Sequence, residues 1–237
     1  MNEDALYLRD SYLKEFEAEV VDVKDGRFII LDRTAFYPTS GGQQNDTGKL
    51  FCGPEDYDVV YCGKLDGKIS HEVDKQGLKP GDKVKGIIDW ERRYQFMKRH
   101  TAAHVLSQVI HIETGALITG GNLELDKCKI DFSLEKYDPL KMQGYVDESN
   151  QILNKDLVIS SVFRPREEVE KMPQLSKLAK GLPEGIETLR ILSIGDFDVQ
   201  VDGGTHVRST KEVGKIQFIK CENKGKDRRR LYYTIVE

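Results

Sequence analysis

The chain reads as an α+β protein: a small antiparallel β-barrel followed by an α+β domain in which helices lie on an antiparallel sheet. Three features of the sequence predict this. Short apolar runs broken by Asp-Gly and Pro-Gly steps fill the first ninety or so positions; a stretch from Trp90 to Glu113 contains neither proline nor glycine; strand-like and helix-like runs then intermingle to the end. The change at Asp89 sets the expected domains as 1–90 and 91–237.

In the first domain EAEVVDV and RFIILD flank Asp25-Gly26, DVVYC and KISHEV flank Asp66-Gly67, and KVKGIID follows Pro80-Gly81. Asp-Gly and Pro-Gly supply turn geometry, and the β-branched or alternating runs between them supply strands. That many short strands in so short a span suit a small barrel or sandwich. Between them lies a polar loop, TAFYPTSGGQ, from Thr34 to Gln43, whose Gly41 and Gly42 permit close backbone approach and whose Gln43 offers both a donor and an acceptor.

In the second domain Ala103, Leu106, Val109 and Ile110 recur at helical spacing, with Asp89 placed to cap the helix and Gly115 to end it. LELDKCKIDFSL alternates as a strand. Residues 138–154 and 165–181 read as helices with Pro139 and Pro165 near their starts. ETLRILSIGDFDVQ and the hairpin EVGKIQFIKCENKGKDRRRLYYTIV complete a sheet.

Composition narrows the function. With 38% hydrophobic and 32% charged residues, the profile is that of a soluble globular protein. No apolar run is long enough to cross a membrane, and MNEDALYLRD lacks the basic-then-apolar start of a secretory signal, so a cytoplasmic location is expected. Cys52, Cys62, Cys128 and Cys221 form no CxxC pair and read as free thiols. The net charge of −4 divides into −6 for residues 1–90 and +2 for the rest, which excludes an avid, non-specific nucleic-acid binder but not a protein with local basic patches.

Chemistry concentrates in two short segments. Two of the five histidines lie in His100-Thr-Ala-Ala-His104; on a helix, positions i and i+4 project from one face, so both imidazoles can reach one metal ion. Thr101 stands where HExxH peptidases carry the glutamate that activates water, which argues against that peptidase chemistry without weakening the metal site. Asp202-Gly-Gly-Thr-His206 adds a carboxylate and a third imidazole on a glycine turn. The resulting His, His, Asp, His set suits four-coordinate zinc. His71 and His111 read as structural.

WERRYQFMKRHTAAH, DGGTH, TAFYPTSGGQ and the closing ENKGKDRRRLYYT, spread across nearly the whole chain, resemble the alanyl-tRNA editing proteins of the AlaX type and the related editing domain of alanyl-tRNA synthetase. The family's metal motifs, HxxxH and CxxxH, fall on His100, His104 and His206, and Asp202 occupies the position of the family's cysteine. Asp202 is then a direct zinc ligand, a group that orients a histidine, or a base acting on water. The resemblance implies hydrolysis of the ester that joins a wrong amino acid to tRNA(Ala), serine first and glycine second, with Zn2+ either acidifying water or holding the substrate. Roles are expected for other groups as well. Thr119, just beyond the metal helix, is expected to bond the serine hydroxyl and so reject alanine. Thr34, Gly41, Gly42 and Gln43 are expected at the substrate, since the family places this loop over the editing pocket. Arg92, Arg93, Lys98 and Arg99 on the metal helix, and Lys224, Lys226, Arg228, Arg229 and Arg230 in the last hairpin, are expected to meet acceptor-stem phosphates. The partner is tRNA, with neither DNA nor membrane. Two rival classes are an RNA-binding module without hydrolysis and a zinc esterase or amidohydrolase acting on small molecules.

Overall fold

The computed structural model describes residues 4–135, 138–172, 175–179 and 181–236. It divides into two compact units, Asn2–Gln95 and Phe96–Glu237.

The first unit is a closed barrel of six antiparallel strands: β1 (Glu15–Lys24), β2 (Phe28–Leu31), β3 (Gly48–Cys52), β4 (Glu55–Leu65), β5 (Lys68–Val73) and β6 (Lys83–Ile88), in the order β1-β2-β5-β4-β3-β6. Asp25-Gly26 and Asp66-Gly67 turn the chain with φ of 50° and 71°, and 50° and 78°, the paired positive values that two-residue hairpins require. Along β1, Phe16, Ala18 and Val20 point inward while Glu15 and Glu19 face lysines 85 and 83 on β6 outside. Val20, Ile29, Phe36, Leu50, Val59 and Val73 form the barrel core.

Helix α1 (Trp90–Thr114) starts where Asp89 Oδ1 accepts the Arg92 N–H at 3.1 Å and ends at Gly115, whose φ is 71°. Ala102, Val105, Leu106, Val109 and Ile110 make its buried face, and Ala103 is half-buried. Beyond it come β7 (Ile118–Asn122), β8 (Cys128–Phe132), α2 (Pro139–Leu153), β9 (Ile159–Pro165), the single turn α3 (Arg166–Val169), β10 (Thr188–Ile194), β11 (Asp198–Val201), β12 (Lys215–Asn223) and β13 (Arg229–Val236). Asp138 caps α2 through the Leu140 N–H at 3.0 Å, and Asn150 of α2 bonds both the N–H and the C=O of Ile216, fastening the helix to β12.

Two expectations are corrected here. The strands of this unit form not one sheet but two among the described residues, β11-β10-β9 and β12-β13-β8-β7. The helix expected over 165–181 shrinks to Arg166–Val169; residues 173, 174 and 180 lie outside the described residues. The physical reason is that Pro173 lacks the N–H a helix interior needs and the chain beyond it is taken up by β7, Lys177 O accepting the Ile118 N–H and Ala179 N–H bonding Ile118 O, both at 2.9 Å. No helix of the described residues is long and apolar enough to cross a membrane.

Candidate metal centre

The HTAAH segment presents His100 and His104 one turn apart on α1, and the chain leaving β11 delivers Asp202 and His206 to the same place. One donor atom from each of the four lies within 4.8 Å of every other. Asp202 Oδ1 stands 3.5 Å from His100 Nε2 and 3.6 Å from His104 Nε2, and Oδ2 stands 3.0 Å from His206 Nε2. Four ligands held about 2.0–2.2 Å from zinc at tetrahedral angles would be roughly 3.3–3.6 Å apart. The donor set and its spacing therefore fit a zinc-sized cation. The three imidazoles are buried and close-set, with ring centroids 4.4–5.0 Å apart.

The loop that carries Asp202 is shaped by its own backbone. Asp202 Oδ2 accepts the Gly204 N–H at 2.7 Å, a turn two residues wide, which leaves Oδ1 toward the α1 histidines. The buried Arg190 on β10 donates to Gly204 O at 2.8 Å and lies 3.6 Å from Asp202 Oδ2, so one guanidinium holds the turn and balances its carboxylate.

A second ring of polar groups fixes the imidazoles. Thr101 Oγ1 is 3.1 Å from His206 Nδ1. His104 Nδ1 is 2.9 Å from Gln200 Nε2 and 3.4 Å from Asp198 Oδ2, and Asp198 is itself paired with the buried Lys177. Carboxylate behind imidazole is the arrangement that orients metal-binding histidines. None of Thr101, Lys177, Arg190, Asp198 and Gln200 stands out singly in the sequence. A signal is nevertheless there: Asp198, Gln200 and Asp202 alternate in DFDVQVD, so a strand there puts three polar side chains on one face.

The electrostatics follow from burial and these neighbours. Burial holds His100 well below the ordinary imidazole range, and holds His206 to about 4, in both cases against the pull of Asp202. Burial also acts on His104, but Asp198 and Asp202 outweigh it and raise that ring to about 9. Burial pushes Asp202 up, and the three histidines more than reverse it, leaving the carboxyl well below its usual range. At neutral pH the site thus offers an ionised carboxylate and two neutral imidazoles, with one proton held on the third. A divalent cation would take the place of that positive charge.

The remaining expected site residues are distributed over both units. In the barrel unit, Gly41 and Gly42 take φ of 57° and 90° between Ser40 and Gln43, whose backbones bond each other at 2.9 and 3.1 Å; Gln43 is fully buried. Thr34, expected at the substrate, is a buried barrel residue: Oγ1 meets His71 Nε2 at 2.8 Å and accepts the Phe36 N–H at 3.0 Å. Arg93, expected on phosphate, is fully buried, because Asp46 pairs with it and Ser11 O and Ala35 O accept its remaining N–H groups. Arg92 donates to Asn45 O at 3.0 Å and Gln44 Oε1 at 3.3 Å. Lys98 and Arg99 are also buried, the latter donating to Glu124 O and Leu125 O. Arg93, Lys98 and Arg99 being buried and Arg92 half-buried, the helix carries no exposed basic stripe. In the last hairpin Arg229 is buried and Arg230 pairs with Asp131, whereas Lys224, Lys226 and Arg228 are exposed. Thr119 sits in β7, and it lines a depression with Lys224, Gly225, Lys226, Asp227 and Arg228 that includes none of the four candidate ligands. His71 and His111 make structural bonds, to Ile29 O and Ala116 O, and all four cysteines are free.

Comparison with known proteins places these features in a family. A family model described as tRNA synthetases class II (A) matches residues 5–92, and one described as threonyl and alanyl tRNA synthetase second additional domain matches residues 189–232. The alanyl-tRNA editing protein AlaX-M of Methanosarcina barkeri is 46% identical over 99% of both chains, and that of Saccharolobus solfataricus is 45% identical over 98% of both. The alanine–tRNA ligase of Pyrococcus abyssi is 37% identical over 92% of this chain, which spans 24% of that enzyme. Likeness of that degree over full length settles kinship: the chain belongs to the alanyl-tRNA editing proteins of the AlaX type.

Proposed function

We propose that this chain is a trans-editing hydrolase: it cleaves the ester of mischarged tRNA(Ala), with Ser-tRNA(Ala) the main substrate and Gly-tRNA(Ala) the second, at a zinc site formed by His100, His104, Asp202 and His206. The observation that carries this reading is the convergence of three buried imidazoles and a carboxylate from two distant stretches of the chain. The printed names of its full-length relatives, alanyl-tRNA editing proteins, supply the substrate class.

Zinc bound there would supply Lewis acidity, polarising an ester carbonyl or acidifying water. The chain's own residues do the rest. Asp202 serves as a ligand rather than a base, because Oδ1 faces His100 and His104 and Oδ2 is already engaged by Gly204 N–H. Thr101, Asp198 and Gln200 keep the His206 and His104 rings in the orientation that turns Nε2 toward Asp202. Arg190 keeps the carboxylate loop closed. The Gly41–Gln43 turn enters this reading on family resemblance, not on measured geometry.

The test is deacylation of Ser-, Gly- and Ala-tRNA(Ala) with metal content measured for wild type and Asp202→Ala. Expected are one zinc per chain in the wild type, cleavage of serine and glycine esters but not alanine, and loss of both zinc and at least about a hundredfold in rate in the variant. Wild-type protein without zinc, or cleaving Ala-tRNA as fast as Ser-tRNA, would overturn the proposal. Full zinc with no turnover in Asp202→Ala would remove the carboxylate from the ligand set.

A further inference from the structure

We infer that the centre accepts Co2+ as well as Zn2+ and gives no advantage to thiophilic ions such as Cd2+, because Asp202 completes a donor set made only of nitrogen and oxygen. The inference rests on reading His100, His104, Asp202 and His206 as a metal site, and it adds which cations that site takes.

The four donors are three imidazole nitrogens and one carboxylate oxygen. None of the four cysteines belongs to the group, and all four are free thiols. Thiolate is the soft donor that favours zinc and softer ions, imidazole suits the borderline ions of the first transition row, and carboxylate suits harder ones. A set of imidazoles and a carboxylate therefore keeps the ordinary rise of affinity from Co2+ to Zn2+. It lacks the extra gain that sulfur gives a soft ion.

The surroundings of Asp202 reinforce this character. Oδ2 accepts the Gly204 N–H at 2.7 Å and stands 3.6 Å from the Arg190 guanidinium, so part of the carboxylate charge is already compensated within the protein. Oδ1 stands 3.5 Å from His100 Nε2 and 3.6 Å from His104 Nε2, on the side where a cation would lie. Behind the rings, Thr101 Oγ1 meets His206, and Gln200 Nε2 and Asp198 Oδ2 meet His104, all of them hard polar atoms.

Position 202 offers its own comparison. A cysteine side chain is one bond shorter than aspartate, while a metal–sulfur bond is longer, about 2.3 Å against about 2.0–2.2 Å for oxygen. Asp202→Cys therefore leaves a donor within reach of the same cation and changes its softness more than its position. Asp202→Glu keeps oxygen and alters reach instead.

The experiment frees the full chain and these two variants of metal and dialyses each against equal concentrations of Co2+ and Cd2+. Bound metal is then counted by plasma mass spectrometry. Wild type is expected to divide its sites between the two ions within about tenfold, and Asp202→Cys to raise the ratio of Cd2+ to Co2+ by about a hundredfold. Asp202→Glu is expected to stay close to the wild-type ratio. The Co2+ spectrum is a second readout that needs no hydrolysis: visible d–d bands in all three proteins, and a sulfur-to-cobalt charge-transfer band only in Asp202→Cys. Wild type that binds none of Co2+, Cd2+ and Zn2+ would end the metal-site reading itself. Wild type that binds metal but prefers Cd2+ by more than about a hundredfold would overturn the inference alone. So would Asp202→Cys that shows the sulfur band with an unchanged ratio. Bound Co2+ without that band would remove position 202 from the ligand set and overturn it as well. If Asp202→Cys does not fold, the wild-type and Asp202→Glu ratios decide.

Discussion

His71 illustrates how a residue can be tied to stability rather than chemistry. Its ring is wholly buried in the barrel, Nδ1–H donating to Ile29 O at 2.9 Å while Nε2 accepts from Thr34, and the Phe36 ring lies edge-on 5.4 Å away. No carboxylate is among these partners, so burial depresses its pKa to about 4. A histidine whose folded pKa is lowered takes up a proton in the unfolded chain first, so its contribution is complete above about pH 6.5 and declines as pH falls toward 4. The difference amounts to about 3 kcal/mol. The molecule's one tryptophan, Trp90, stacks on Tyr94 at 5.5 Å in the same unit and reports on it. Urea unfolding followed by Trp90 fluorescence should therefore show wild type losing about that much more stability than His71→Gln between pH 6.5 and 4. Parallel pH profiles for the two proteins would show that His71 is solvated or paired when charged.

At the scale of elements, the barrel is the most legible part of the sequence, because its turns are written in residues with few alternatives: Asp25-Gly26 and Asp66-Gly67 adopt positive φ at both positions, and the apolar alternation of β1 matches its pleat. The HTAAH helix is equally legible, since its two histidines need only helical spacing to converge. Strands β7 and β9 are not. ITGGN hides its strand behind two glycines, and ISSVFRP precedes a residue run with helical composition, so only pairing with β8 and β10 reveals them. The basic residues of α1 mislead for a related reason: sequence shows a charge but not its counter-charge, and Asp46 sits forty-odd positions before Arg93. Strand contact also gives a sharp test. At Gly48 a Cβ would lie 2.2 Å from Ile87 O and 2.8 Å from Ile88 Cα, backbone atoms of β6 that cannot swing aside. Gly48→Ala should therefore part β3 from β6 and lower barrel stability by about 2 kcal/mol or more in the same urea assay. A loss below about 0.5 kcal/mol would mean that this edge of the barrel yields easily.

For the molecule as a whole, the distribution of charge sets how it must treat RNA. Residues 1–90 carry −6 and the rest +2, and the basic side chains of α1 prove to be internal braces rather than a binding stripe. Lys226 and Arg228, with Lys224 half engaged by Glu222, are one exposed group of cations on the surface. A protein that neutralises two or three phosphates should show a slope of log K against log salt near −2, each contact adding about −0.7 to −0.9. Affinity for a tRNA(Ala) minihelix should then fall roughly 15-fold between 50 and 200 mM KCl. A slope steeper than about −5 would require many more cations at the RNA than these, drawn from the other exposed lysines and arginines of the surface. Shallow salt dependence also agrees with the proposed activity, because an editing protein must release its deacylated tRNA. On the proposed reading its selectivity rests at the candidate metal centre of His100, His104, Asp202 and His206, and only lightly in the charge that brings the RNA there.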